Sequence, residues 1–214
     1  MMQLCENPRV PKVVDHDARR EELARAVRRV VVRSGVEGAT VRAVAAEAGW
    51  SMGSLRYYFR TQGELLDFAL TSMTTELPAR IAAVLERQEP GPARAQAVLE
   101  EMLPLDEDRL AEATVYLAFM ARTRVEGSPA RLADLAWDGE RHLCGIAAAD
   151  ALGLAPPTRV GAVPRHLREA VDELQVFVDG LTFLGATLPD RLPPRRARAL
   201  LRAELASLVD RHAR

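Results

Sequence analysis

Residues 40–66 read TVRAVAAEAGWSMGSLRYYFRTQGELL, and the spacing of their start and stop signals leaves the backbone little freedom. Thr40 and Ser51 have the chemistry of helix N-caps, because a short hydroxyl can accept from the free N–H groups of a first turn. Gly49 is a natural stop, since glycine takes the left-handed conformation that ends a helix without steric cost. The spacing therefore predicts one short helix up to Gly49 and a second from Ser51 through Phe59. Only Gly49-Trp50-Ser51 separates them. Val41, Val44, Ala45 and Ala48 form the apolar face of the first, and Leu55 and Phe59, four apart, that of the second.

Two short helices joined by a tight glycine turn are helix-turn-helix geometry, whose second helix lies in the major groove of DNA. Met52 and Arg56, also four apart, share the outer face with Tyr57, and Gly53 keeps that helix bare where backbone can approach DNA. Arginine can read guanine through two hydrogen bonds, and Ser and Tyr hydroxyls reach phosphate oxygens. Charge agrees. Residues 8–62 carry eleven Arg/Lys against six Asp/Glu, and the rest of the chain 18 against 24, so a basic head sits on an acidic body.

The flanking sequence is helical throughout. Leu23, Val27, Val30 and Val31 recur on one helix face over 16–34, which stops at Gly35. Thr61-Gln62-Gly63-Glu64 has the capping-box pattern and opens a long fourth helix that Pro78 should kink or divide. Beyond the break at Pro90-Gly91-Pro92, helices are expected near 93–103, 107–125, 129–151, 164–187 and 194–213. No segment alternates with period two, so the expected class is all-α.

Several function classes are not supported. Cys5 and Cys144, with His16, His142, His166 and His212, show no metal-ligand or redox spacing. There is no Ser/His/Asp arrangement, glycine-rich phosphate loop or HExxH, and Glu100-Glu101 and Asp106-Glu107-Asp108 read as solvated or dipole-compensating charges. No enzyme activity and no cofactor are expected. No apolar run approaches the roughly 18 residues that span a bilayer. The N-terminus places Cys5, Glu6, Asn7 and two prolines where a signal peptide needs an apolar core, so a cytoplasmic location and no membrane partner are expected.

The pattern Thr40-Val41-Arg42-x-x-Ala45-x-x-Ala48-Gly49, then Ser51-x-Gly53-x-Leu55, Tyr58-Phe59 and Glu64-Leu65-Leu66 resembles the tetracycline-repressor (TetR) family. The variant Ser54-Leu55-Arg56-Tyr57-Tyr58-Phe59 resembles its betaine-operon repressor branch. The resemblance is strong over residues 16–70; downstream only Val178-Asp179-Gly180-Leu181 echoes it. It implies a recognition helix beginning after Ser51, phosphate contacts from Thr40, Arg42, Tyr57 and Tyr58, and base-edge contacts from Met52, Ser54 and Arg56. Gln62 stands where the family usually carries a lysine, so it would meet phosphate by a hydrogen bond without an ionic contact. Trp50 replaces a small aliphatic residue and belongs either to the core or against the DNA backbone. Arg9, Lys12, Arg19 and Arg20 lie within reach of DNA.

The resemblance also implies a flexible arm over 1–15, a DNA-binding domain over 16–62 and a ligand-binding and dimerisation domain over 63–214. Expected ligand-contacting residues are Met73, Met102, Tyr116, Phe119, Met120, Trp137, His142, Gln175 and Phe177. The homodimer should form through the last two helices, with Val171, Leu174, Val178, Leu181 and Gly185 on one and Leu200, Leu201, Leu205 and Leu208 on the other. The implied function is a ligand-responsive repressor that binds a palindromic, double-stranded operator; the alternative is a constitutive regulator or activator without a small-molecule effector.

Overall fold

The computed structural model describes residues 16–126 and 130–212; the expected arm, with Cys5, Arg9 and Lys12, lies outside them. The described residues contain no strand. They form α1 (His16–Gly38), α2 (Val41–Ala48), α3 (Met52–Tyr58), α4 (Gln62–Arg87), α5 (Pro92–Glu100), α6 (Glu107–Glu126), α7 (Ala130–Leu152), α8 (Arg168–Thr187) and α9 (Pro194–His212).

The local signals act at the expected atoms. Thr40 Oγ1 accepts from the Ala43 amide at 3.2 Å, Ser51 Oγ from Ser54 at 3.0 Å and Thr61 Oγ1 from Glu64 at 3.2 Å. Gly49 takes the left-handed conformation, φ 68° and ψ 24°. Gly35 (φ 69°, ψ 177°) leaves the helical conformation and interrupts α1 where the stop is expected, and a short further turn runs on to Gly38. One expectation needs correction. Pro78 does not divide α4, which continues from Gln62 to Arg87. The proline lacks only the N–H that would bond the Thr74 carbonyl, and packing on both sides holds the helix together.

One apolar core joins the head to the body. Leu23, Val27, Val30 and Val31 of α1 meet Val44 and Ala45 of α2, Leu55 of α3, and Leu65, Leu66, Ala69 and Leu70 of α4. Val115 and Phe119 of α6 complete the cluster, both fully buried. Two polar ties cross the same junction. Arg28 pairs with Glu76 at 3.0 Å, and Arg122 donates to the Gly63 carbonyl and to Asp67 at 3.3 Å.

A second core fills the body. Cys144, Ala147, Ala148 and Ala151 give α7 a small-residue face on which Leu99, Leu174, Val178, Leu201, Leu205 and Leu208 close. Arg94 grips the buried Asp150 with two 2.6 Å hydrogen bonds. This core corrects the expected dimer face. Val171, Leu174, Val178, Leu181, Leu201, Leu205 and Leu208 pack inside their own subunit. Gly185 admits Pro104, whose Cγ would lie 2.7 Å from an added Cβ. Outward on α8 are Val176, Gly180, Phe183 and Leu184, with Leu188 at its C-cap, and Leu200 is exposed on α9. Both α8 stripes repeat with helical spacing, so periodicity alone cannot say which one faces inward.

Phe119→Ala should destabilise the chain by about 3–5 kcal/mol, the usual cost of deleting a buried aromatic ring. Urea unfolding measures this; a loss below about 1 kcal/mol would contradict a core shared through Phe119.

Candidate DNA-facing surface and effector cavity

The head presents α3 on an inward anchor and an open outer face. Leu55 is buried, whereas Met52, Gly53, Ser54, Arg56, Tyr57 and Tyr58 are exposed, together with Thr40, Arg42 and Ser51. Tyr57 is 83% and Tyr58 56% accessible, so neither ring serves as core. The Tyr57 and Tyr58 rings meet edge to face at 5.3 Å, and Tyr58 meets Trp50 at 6.0 Å. Arg19 covers Trp50 at 5.7 Å. Trp50 therefore packs half-buried on the flank of the head core and supports Tyr58 from behind.

Several arginines of α1 are engaged within the head. Arg29 and Arg33 both bind Glu47, at 2.6 and 2.8 Å, and their hydrogen bonds hold that carboxyl below its ordinary range. Among the described residues Arg42 and Arg56 make no ion pair or side-chain hydrogen bond, which leaves their donors open to an outside acceptor. The Ser54 hydroxyl bonds that of Ser51 at 2.7 Å. The Gln62 amide donates to the Val36 carbonyl and ties the start of α4 to the end of α1.

Below the head, α4, α6, α7 and α8 line a half-open cavity of about 700 Å³, within the range of sites for drug-sized ligands. Of the residues expected there, Met73, Met102, Tyr116 and His142 line it. The others do not. Phe119 and Met120 belong to the head core, and Phe177 packs on the body core. Trp137 is 47% exposed beneath Arg141, and Gln175 is buried on α8, accepting from Arg141 at 2.8 Å. The wall comes instead from mid-sized aliphatics, including Leu77, Ile81, Leu85, Leu143 and Ile146. Thr74 and Pro78 line it on α4.

Two acids that sequence reasoning passed over complete the wall. The Tyr116 hydroxyl donates to Glu140 at 3.1 Å, and Glu140 is hydrogen-bonded to Asp179. Burial, then the neighbouring Asp179 charge, pushes Glu140 up to about 8; burial also raises Asp179. Desolvation raises the Tyr116 phenol, lowers His142 and keeps the Cys144 thiol protonated. His142 leaves Nδ1 without a partner. Glu112 is different, because Arg80 clamps it at 2.7 and 3.0 Å. A signal existed: Glu140 interrupts the apolar stripe of Leu132, Ala136, Leu143 and Ala147 at helical spacing. Among the described residues no group of three His, Cys, Asp or Glu side chains could hold a metal ion, and no helix is long and apolar enough to cross a membrane.

A family model of the C-terminal domain of BetI-type transcriptional repressors matches residues 92–210. Over 115 residues the chain is 40% identical to the HTH-type transcriptional regulator PksA of Bacillus subtilis, a match covering 54% of the chain and 56% of PksA, little more than half that relative's length. It is 27% identical over 202 residues to the HTH-type transcriptional regulator BetI 2 of Chromohalobacter salexigens, covering 94% and 93% of the two. The crystal structure of a transcriptional regulator from Rhodococcus sp. Rha1 superposes with a TM-score of 0.69 at 30% identity, covering 89% of this chain and 96% of that one.

The raised Glu140 carboxyl has a pH signature. The folded chain keeps its proton where the unfolded chain loses it, so this stabilisation is full below the ordinary glutamate range and is lost as pH rises through about 8. Glu140→Gln should remove that loss. Its melting temperature should gain on the wild type between about pH 5 and pH 9. Parallel stability profiles would show that Glu140 has no raised pKa.

Proposed function

The chain belongs to the TetR family of transcriptional regulators, in the branch with a BetI-type C-terminal domain, and on that premise we propose that it is a ligand-responsive repressor that binds a palindromic operator as a homodimer. One observation carries the reading. Helices α4 and α6 each contribute to the head core and to the wall of the 700 Å³ cavity. Leu65, Leu66 and Ala69 lie in the head, and Leu77, Ile81 and Leu85 line the cavity on the same helix. A molecule wedged between α4, α6 and α7 shifts these helices, and the head turns with them.

The DNA side follows from the exposed face of α3. Arg56 is the base-reading candidate, with Met52 and Ser54 beside it, and Thr40, Arg42, Tyr57 and Tyr58 are placed to meet phosphates. The outward stripe of Val176, Gly180, Phe183 and Leu184 on α8, with Leu188 at its C-cap and Leu200 on α9, is the proposed dimer surface. Two helices from each subunit make a four-helix interface, and its twofold axis is what a palindrome matches. Heads held about 34–36 Å apart reach successive major grooves on one face of DNA.

Sequencing the genomic fragments retained by the purified protein should recover an inverted repeat. Fragments with no shared repeat would contradict operator binding. On the recovered site, Arg56→Ala should cost about 1–3 kcal/mol and relax preference at one base pair. Equal losses on operator and random DNA would make Arg56 a phosphate contact.

A further inference from the structure

We infer that Trp50 is a positioning residue for DNA binding: its ring seats the Arg19 guanidinium and props the Tyr58 ring, and through these two side chains it sets contacts to the DNA backbone. The inference rests on reading the exposed face of α3 as the DNA-facing surface and adds the device that orients one flank of it.

Arg19 and Arg20 are exposed in the first turns of α1. Among the described residues neither makes an ion pair or a side-chain hydrogen bond. Each lies instead over an aromatic ring. The Arg19 guanidinium is 5.7 Å from the centre of the Trp50 ring, and that of Arg20 is 5.1 Å from the centre of Phe68. Farther along the same helix the arginines are held differently, Arg28 on Glu76 and Arg29 and Arg33 on Glu47.

The two ways of holding an arginine leave different groups free. A carboxylate occupies the in-plane N–H donors and cancels the charge. A ring occupies only the flat face, so the donors along the edge of the guanidinium and its charge remain available to a phosphate. The seat also limits the rotamers of a long side chain before DNA arrives, which lowers the ordering cost of the contact.

Trp50 is where this seat meets the recognition surface. It occupies the glycine turn and packs half-buried on the head core. Its ring meets Tyr58 at 6.0 Å and an interplanar angle of 63°, and Tyr58 meets Tyr57 at 5.3 Å and 89°. Tyr58 continues to Phe59 at 6.4 Å, and Phe59 to Phe68, the seat of Arg20, at 5.1 Å. One run of rings thus ties the start of α1, the turn, α3 and α4. Edge-to-face pairs favour a defined geometry, so the tyrosine rings stand on a fixed base. A small aliphatic residue at position 50 could keep the turn, but it would offer no π face to a guanidinium.

Fluorescence anisotropy of the full chain on a labelled duplex of random sequence, read between about 50 and 200 mM salt, tests the seat, because backbone contacts do not depend on base sequence. Arg19→Gln should weaken binding. It should also lower the slope of log affinity against log salt by about 0.9 for each subunit bound, the share of one phosphate contact. Trp50→Leu should weaken binding by about 2- to 10-fold and lower the slope in the same direction, although it removes no charge. Trp50→Phe, which keeps a ring, should restore most of both. The two losses should overlap, so that the double variant binds more tightly than the product of the single losses. A merely structural role for Trp50 would leave the salt slope of Trp50→Leu at the wild-type value, and that result overturns the inference. Losses that multiply independently overturn it too. Arg19 is exposed and outside the core, so Arg19→Gln decides the matter should Trp50→Leu fail to fold: an unchanged slope there removes the contact that the seat serves. All three results leave α3 standing as the DNA-facing helix. A wild-type chain that binds neither the random duplex nor the recovered genomic fragments removes that reading as well.

Discussion

Phe119 and Val115 belong by sequence to the body and by packing to the head. Because they sit fully buried where α6 packs on α1 and α4, in the same cluster as the α2 and α3 side chains, the head core is shared with the body. Interiors at close-packed density transmit displacement, since no free volume exists to absorb it. The Arg28–Glu76 pair and the Arg122 contacts to Gly63 and Asp67 fix α1 and α6 against α4. Helix α4, 26 residues long, is about 39 Å from end to end. It is the rod that joins α3 to the chamber below.

Electrostatics divides the molecule in the same way. In the head, Arg28, Arg29 and Arg33 are spent on Glu76 and Glu47, so the formal excess of basic residues overstates what faces outward. Arg42 and Arg56 remain open, on the helices that flank the glycine turn. In the body, arginines quench the buried acids except at Glu140 and Asp179, where the cavity is otherwise aliphatic.

Local chemistry was readable from the sequence. Thr40, Gly49, Ser51 and Thr61 act on backbone groups within a few residues, so their signals survive folding unchanged. The choice between faces was not readable. On α8 the stripe through Leu174 and Val178 and the stripe through Val176, Gly180 and Phe183 are both apolar, and only the position of α7 and α9 decides which is core. Bulk misled in the cavity. Phe119 and Phe177 are large because they fill cores, whereas a chamber is where side chains stop short, at Leu77, Ile81 and Ile146. Glu140 was hidden because a charge on a helix is solvated by default; its register on an apolar stripe was the counter-signal.

The coupling of cavity to head can be measured without knowing the natural effector. Gly139 lines the chamber and has no atom within 4 Å of an added Cβ, so Gly139→Trp places a bulky ring where a ligand would sit. Fluorescence anisotropy on the recovered operator compares this variant with the wild type. If filling the chamber displaces α4 and α6, operator affinity falls by about 5- to 150-fold, the usual range of allosteric coupling. A folded, dimeric Gly139→Trp protein that binds the operator as tightly as the wild type would contradict the account.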